Sequence, residues 1–526
     1  MTSPYDTYTS PLAERNASAE MLRLWSPRHK FNTWRKVWLA VAEAQHELTR
    51  DAATPLVTAE QVEELRAVVN RTNPDGNPSS EGGITDDEMK LAEKYERELR
   101  HDVMAHVHAL GDSCPKAKGI IHLGMTSQDV VCNADYSILS EAFSLLDLKI
   151  GRLRATLGDF AARWKSLPTL GFTHYQPAQP VTVGRRAAMW AWDLNLPFHT
   201  AYWQFGEFHL RGLKGATGTQ ASFLSLFGGN SELVDRLEWG FCEKLLSTEK
   251  RGSHLQHEWP PSCGLHVHMV TGQTYPRVED VMMLSSLGAV ASVLHKIATD
   301  IRLLCNRKEL DEPFETKQIG SSAMPYKRNP MRCERICGLT RFVMNLVGNA
   351  YDTAATQWLE RTLDDSSNRR LSLPEAFLAL DGALDLMHNV ASGLIVHEAM
   401  VRKNLMAELP FMATENILMA CVKLGGDRQH YHELIRVHAQ AAGMRVKQEG
   451  LDNDLLDRLR NDRNFWSKSR GGPLSAELDW DNLMDPMKYV GRSVEQTERF
   501  IKEVVEPLRE QYGDAIAKLG ESSPKV

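Results

Sequence analysis

Between Pro115 and Pro168 the apolar positions fall at Leu139, Phe143, Leu146, Ile150, Leu153, Leu157, Phe160 and Trp164. Steps that alternate between four and three residues keep one face of an α-helix apolar, as the seam of a helix packed along a partner requires. A second seam reads Leu284, Leu287, Ala291, Leu294, Ala298 and Ile301, and a shorter third reads Ile336, Leu339, Val343 and Leu346. Proline is absent from 116–167, 277–312, 331–373 and 411–472. Because proline breaks helix interiors, these windows leave room for long helices. Strand-like alternation is scarce. The pattern predicts an all-α protein of three helical domains: an N-terminal one over 1–126, a central bundle of long helices over 127–396, and a C-terminal one over 397–526. Residues 69–83, rich in Asn, Pro, Gly and Ser, read as a turn-rich connector.

The chain's 526 residues allow a large core, and 42% hydrophobic with 25% charged residues is an ordinary globular composition. Sixty-one basic against 68 acidic residues give a net charge of −7, which argues against a nucleic-acid partner. A local cationic pocket for a small anion stays open. The eight cysteines form no Cys-x-x-Cys pair, a usage that suits a reducing, cytoplasmic setting. Residues 1–20 are polar, without the apolar core of a signal peptide. No run of 18 apolar residues appears, so no membrane span is expected.

Five segments concentrate the chemistry. Gly320-Ser321-Ser322-Ala323-Met324-Pro325-Tyr326-Lys327-Arg328-Asn329-Pro330 sets hydroxyls, cations and an amide between prolines, just ahead of a helical pattern. Gly320 lets the backbone swing, and nearby positive charge makes a serine easier to deprotonate. That is the chemistry of a mobile loop carrying a base; a plain polar connector is the alternative. Thr173-His174-Tyr175-Gln176-Pro177 places a histidine between a hydroxyl and an amide in a proline-bracketed loop. There it can titrate near neutrality and act as an acid, although a lone histidine is more often structural. Gly124-Met125-Thr126-Ser127-Gln128-Asp129 opens the first long helix. Its hydroxyls and backbone N–H groups suit an anion, or simply cap the helix. Arg100-His101-Asp102 follows a charged helical run. Trp358 to Arg370 mixes three arginines with acids and hydroxyls, either a phosphate clamp or a salt-bridged turn.

The Gly-Ser-Ser loop resembles the signature of the fumarase/aspartase superfamily. Its Tyr-Lys-Arg-Asn-Pro wording, together with Arg361-Thr362-Leu363-Asp364-Asp365-Ser366, is similar to the branch acting on succinylated purine nucleotides. Residues 217–223, 271–275 and 409–416 share that likeness. The resemblance implies an all-α, fumarase-like fold and a carbon–nitrogen lyase that releases fumarate by β-elimination. In it Ser321 is the general base, His174 the general acid, and Glu334 orients the acid. Thr126, Ser127, Lys327 and Asn329 hold the succinyl carboxylates, with Thr173 beside His174. Arg15, Arg100, His101, Asp102, Gln273, Arg335, Arg361, Ser366 and Arg370 bind the nucleotide part. The resemblance further implies a homotetramer whose active sites are shared between subunits, with small-molecule nucleotides as ligands. No cofactor, metal, nucleic acid or membrane enters. Another fumarate-releasing lyase acting on argininosuccinate, or a non-catalytic protein of the same fold, are the alternatives.

Two departures stand out. Asn16 occupies a place where the family has an aromatic residue. The segment 247–268 is longer than the family pattern. Its His254, His257, Cys263, His266 and His268 are chemically able to bind zinc, but their spacing around Trp259-Pro260-Pro261 predicts an irregular surface loop instead.

Overall fold

The computed structural model describes residues 6–72, 82–206, 209–249, 267–315, 318, 323–324, 326–467, 472–473 and 477–519. The N-terminal region contributes three helices that matter for the site: α1 (Pro27–Thr49), α2 (Asp86–Leu99) and α3 (Asp102–Ser113). Five long helices follow. They are α4 (Ser127–Arg163), α5 (Val183–Gly206), α6 (Val278–Asn306), α7 (Met331–Ala355) and α8 (Asp364–Gly393). Successive members run in opposite directions and pack side by side as one bundle.

The first two predicted seams face inward, and the third does so in part. Leu139 through Phe160 on α4 and Leu284 through Ile301 on α6 are buried. On α7, Ile336 and Val343 are buried, but Leu339 and Leu346 are only half-buried, and Phe342 and Tyr351 are exposed. One face of α7 therefore lacks a partner among the described residues. Helix α6 is long and apolar enough to cross a membrane by length and hydropathy, yet 61% of its most apolar window is buried inside the protein. It is a core helix of the bundle.

Proline does not end every helix here. Helix α5 continues through Pro197 and α8 through Pro374. An interior proline costs about 3 kcal/mol. In α8 that cost is offset by burial of Leu373, Ala376, Phe377, Leu380 and Leu384 along its length. Conversely, the proline-free window after Pro410 holds three shorter helices, Thr414–Lys423, Arg428–Met444 and Leu455–Asn461. Left-handed glycines at 425 and 450 lie between them.

These shorter helices bury a second, small core that includes Ile417, Tyr431, Ile435, Leu459 and Phe465. The chain then returns to the bundle, where α9 (Glu506–Lys518) lays Leu508 and Tyr512 against Leu148 of α4. Strand content among the described residues is limited to three two-stranded pieces. The largest is a hairpin of β1 (Pro168–Thr173) and β2 (Gln176–Thr182), antiparallel, with Thr173 opposite Gln176. The loop predicted around His174 is thus the tip of this hairpin.

Candidate active site

Helix directions decide which residues can meet. The N-termini of α3, α4, α6 and α8 lie at one end of the bundle, together with the C-terminus of α7. They surround a cavity of about 1090 Å³. Its walls hold His101 and Asp102 from α3, Thr126 and Ser127 from α4, Gln273, and Arg361, Ser366 and Arg370 around the start of α8. The positive ends of these helix dipoles converge here, so the cavity is electrostatically prepared for an anionic ligand.

Local structure explains each placement. Gly124 takes φ +77°, a conformation that turns the chain into α4. The Asp129 carboxylate accepts the Thr126 N–H at 2.7 Å, fixing the first turn of α4. Asp129 is wholly buried. It also pairs with Arg211 and accepts the N–H groups of Lys214 and Gly215 at 2.9 and 3.1 Å. One carboxylate thereby ties the helix start to the loop that carries Ala216 and Thr217 to the cavity wall.

Gln273 is placed by a close backbone approach. Its N–H donates to the Glu360 carbonyl at 3.0 Å, and a Cβ at Gly272 would stand 2.5 Å from that same oxygen. Arg361 then donates to the Gln273 side chain at 3.2 Å. Behind them Asp365, fully buried, accepts from Arg277 at 2.8 Å. Arg369 is buried against Asp280, Asp135 and Tyr275.

His101 caps α3. Its Nδ1 accepts the Met104 N–H at 3.3 Å, so the neutral ring carries its proton on Nε2, which lies 3.4 Å from the Ser127 hydroxyl. Asp102 accepts from Arg370 at 3.0 Å. Burial raises the Asp102 pKa, but its hydrogen bond from the Val103 N–H and the charges of Arg370 and Lys30 leave it below the ordinary carboxylate value.

The remaining candidates lie elsewhere in the chain. Arg100 is the exposed, left-handed C-cap of α2, outside the cavity wall. Thr173, His174, Lys327 and Glu334 are exposed at the opposite end of the bundle. Helix α7 has 25 residues and so spans about 37 Å. Glu334 sits in its first turn, whereas Trp358 to Arg361 follow its last. The hairpin shares the Glu334 end, with the Arg307 guanidinium over the Phe172 ring at 4.7 Å.

His174 and Tyr175 hold φ of +52° and +57° at the hairpin tip. Two-residue turns of this kind normally use Asn-Gly, and strained conformations of bulky residues cluster at functional sites. Among the described residues His174 and Glu334 share no hydrogen bond. Asn329 lines a small niche with Asp311, Glu312 and Arg328. Arg335 donates to the Asn16 side chain at 2.8 Å and to the Arg15 carbonyl. Burial and the like charge of Arg15 lower the Arg335 pKa. Asn16, which departs from the family's aromatic residue, thus holds one of the candidate arginines.

Ser321 lies outside the described residues, as do His254, His257, Cys263 and His266. His268 is described, and its Nε2 pairs with Glu279 at 2.5 Å. Sequence reasoning overlooked Lys30, Asp135 and Arg277 in the cavity wall. Their segments carry no motif, and only the fold brings them together.

A family model described as "Lyase" matches residues 14–204 and 267–345, and one described as "Adenylosuccinate lyase C-terminus" matches 410–500. The first passes over 205–266, which contains most of the long segment noted above. The adenylosuccinate lyase of Schizosaccharomyces pombe is 47% identical over 95% of each chain. That of Saccharomyces cerevisiae is 45% identical over 98% of this chain and 99% of its own. Among solved structures, the 3-carboxy-cis,cis-muconate lactonizing enzyme of Pseudomonas putida superposes with a TM-score of 0.72 at 23% identity, covering 95% of this chain and 99% of its own.

A helical bundle with this family match defines a carbon–nitrogen lyase of the fumarase/aspartase superfamily. Within that class the chain belongs to the adenylosuccinate lyase family.

Proposed function

We propose that the chain catalyses β-elimination of fumarate from adenylosuccinate, giving AMP, and from the succinylated carboxamide ribotide (SAICAR), giving AICAR. The observation that carries this reading is the anion-adapted cavity where the N-termini of α3, α4 and α8 meet. It gathers His101, Asp102, Thr126, Ser127, Gln273, Arg361, Ser366 and Arg370.

In the reaction Ser321, as alkoxide, removes the proton from the succinyl carbon next to a carboxylate. The electron pair forms the carbon–carbon double bond of fumarate as the carbon–nitrogen bond breaks. His174 protonates the departing nitrogen. Thr126, Ser127, Lys327 and Asn329 stabilise the extra negative charge on the carboxylate. A histidine acid suffices for an amine leaving group, so the reading requires no metal or organic cofactor. Serine is a weak base, and closure of the 320–330 segment over the substrate would exclude water before proton transfer.

The working division of the chain is 1–126, 127–396 and 397–526. The separation of the candidate residues along α7 supports a homotetramer in which each site combines the cavity of one chain with the hairpin and loop ends of others. The half-exposed face of α7 is available for that packing. We place the enzyme in the cytoplasm, without nucleic-acid or membrane partners.

The test is direct. Purified protein should convert adenylosuccinate to AMP, followed by the ultraviolet change of the purine. Turnover of argininosuccinate with none of adenylosuccinate would overturn the assignment.

A further inference from the structure

Lys30 stands in the first turn of α1 and contributes to the cavity wall beside Asp102, Asp135 and Arg370. Every arginine around it has a hydrogen-bond acceptor. Arg277 is held by Asp365, Arg361 by Gln273, Arg369 by Asp280 and Asp135, and Arg370 by Asp102. Lys30 has none among the described residues. Its ammonium rests over the Trp34 and Phe31 rings, 5.0 and 5.2 Å from their centroids. The rings back the charge without accepting its three N–H bonds. A half-buried ammonium with no acceptor in the protein is costly unless a ligand supplies one. Burial, and then Arg370, lower the Lys30 pKa, while Asp135, Asp102 and Glu96 hold it up.

We infer that Lys30 is a further substrate-positioning residue whose ammonium donates hydrogen bonds to an anionic group, phosphate or carboxylate, of the nucleotide substrate in this cavity. This rests on the functional reading above. It adds a cation from α1 to a site otherwise built from α3 and the bundle ends. Aromatic backing fixes the stem, and the neighbouring carboxylates keep the charge from repelling Arg370.

The experiment compares the full-length parent with Lys30→Met, Lys30→Gln and Lys30→Arg in steady-state kinetics on adenylosuccinate. The Met and Gln variants should raise KM about tenfold or more, the size of a lost charged hydrogen bond. Their kcat should stay within about threefold of the parent, because binding is lost in ground and transition states alike. Lys30→Arg should recover most of the affinity, and all three should unfold at the parent's temperature.

Binding of AMP, adenosine and fumarate names the group. Weakened AMP with unchanged adenosine assigns the phosphate, and weakened fumarate assigns a carboxylate. A KM within twofold of the parent in both the Met and Gln variants overturns the inference. So does failure of Arg to recover affinity in a variant as stable as the parent. A parent that does not turn over adenylosuccinate defeats the functional reading instead, and AMP binding by parent and Lys30→Met then decides whether Lys30 holds an anion.

Discussion

The two ends of the bundle are built differently. At the cavity end, helix starts converge and nearly every charged group has a partner: Asp129 with Arg211, Asp365 with Arg277, Asp102 with Arg370. At the other end His174, Lys327 and Glu334 stand in solvent on a hairpin tip, a loop and a first helical turn. The cavity groups proposed to hold the nucleotide are preorganised within one chain, whereas the proposed acid, its orienting carboxylate and Lys327 are presented outward. On the proposed reading a lone chain would carry half a site at each end, separated by about the 37 Å of α7. Antiparallel packing of copies would bring unlike ends together.

The largest effect is expected from removing the proposed acid or base. Ser321→Ala and His174→Gln should each lower kcat by at least about a hundredfold, as loss of a general base or acid does. Folding and AMP binding should survive, since the groups proposed to hold the nucleotide are left in place. Activity within tenfold of the parent in either variant would place the chemistry elsewhere.

The cavity end should respond differently, through stability. Asp129→Ala leaves Arg211 buried without its carboxylate and frees three backbone N–H groups. Breaking such a pair costs about 3–5 kcal/mol. Urea unfolding should show that loss together with lost turnover. An unchanged midpoint would mean that the cavity wall is not held by this carboxylate.

A smaller effect tests the shaft between the ends. Burial lifts the Asp147 carboxyl on α4 to about 7, against the opposing pull of Arg154. An unfolded aspartate titrates near about 3.9. Between these values the folded chain keeps a proton that the unfolded chain has released, so stability falls as pH rises from about 4 to about 7 and then levels. Asp147→Asn should therefore match the parent at pH 4 and exceed it at pH 8 by up to about 4 kcal/mol, the worth of lifting the carboxyl from about 4 to about 7. Equal unfolding midpoints at pH 8 would contradict the buried, protonated carboxyl.

Much of this architecture was legible in the residues. The seams of α4 and α6 follow from spacing alone, because a helix buried on one side must repeat its apolar positions with its own period. The helices through Pro197 and Pro374 were not legible, since tertiary packing there outweighs a local rule. The cavity residues carried motif signals where hydroxyls and charges cluster before a helix start, as at Thr126-Ser127. Lys30 carried none: a lysine in a helical first turn reads as a solvated charge until the fold sets it beside Asp102 and Asp135. The strained tip at His174-Tyr175 was equally silent, because neither residue type announces a left-handed turn.

The central claim is that one active site takes its cavity from one chain and its acid and base from others. Subunit exchange tests it most directly. Ser321→Ala and His174→Gln proteins, each inactive, are mixed, dissociated mildly and allowed to reassemble, with exchange verified by mass-tagged subunits. The account predicts that activity returns, because some mixed sites receive an intact serine and an intact histidine from different chains. Verified exchange with no return of activity would contradict it and assign each site to a single chain.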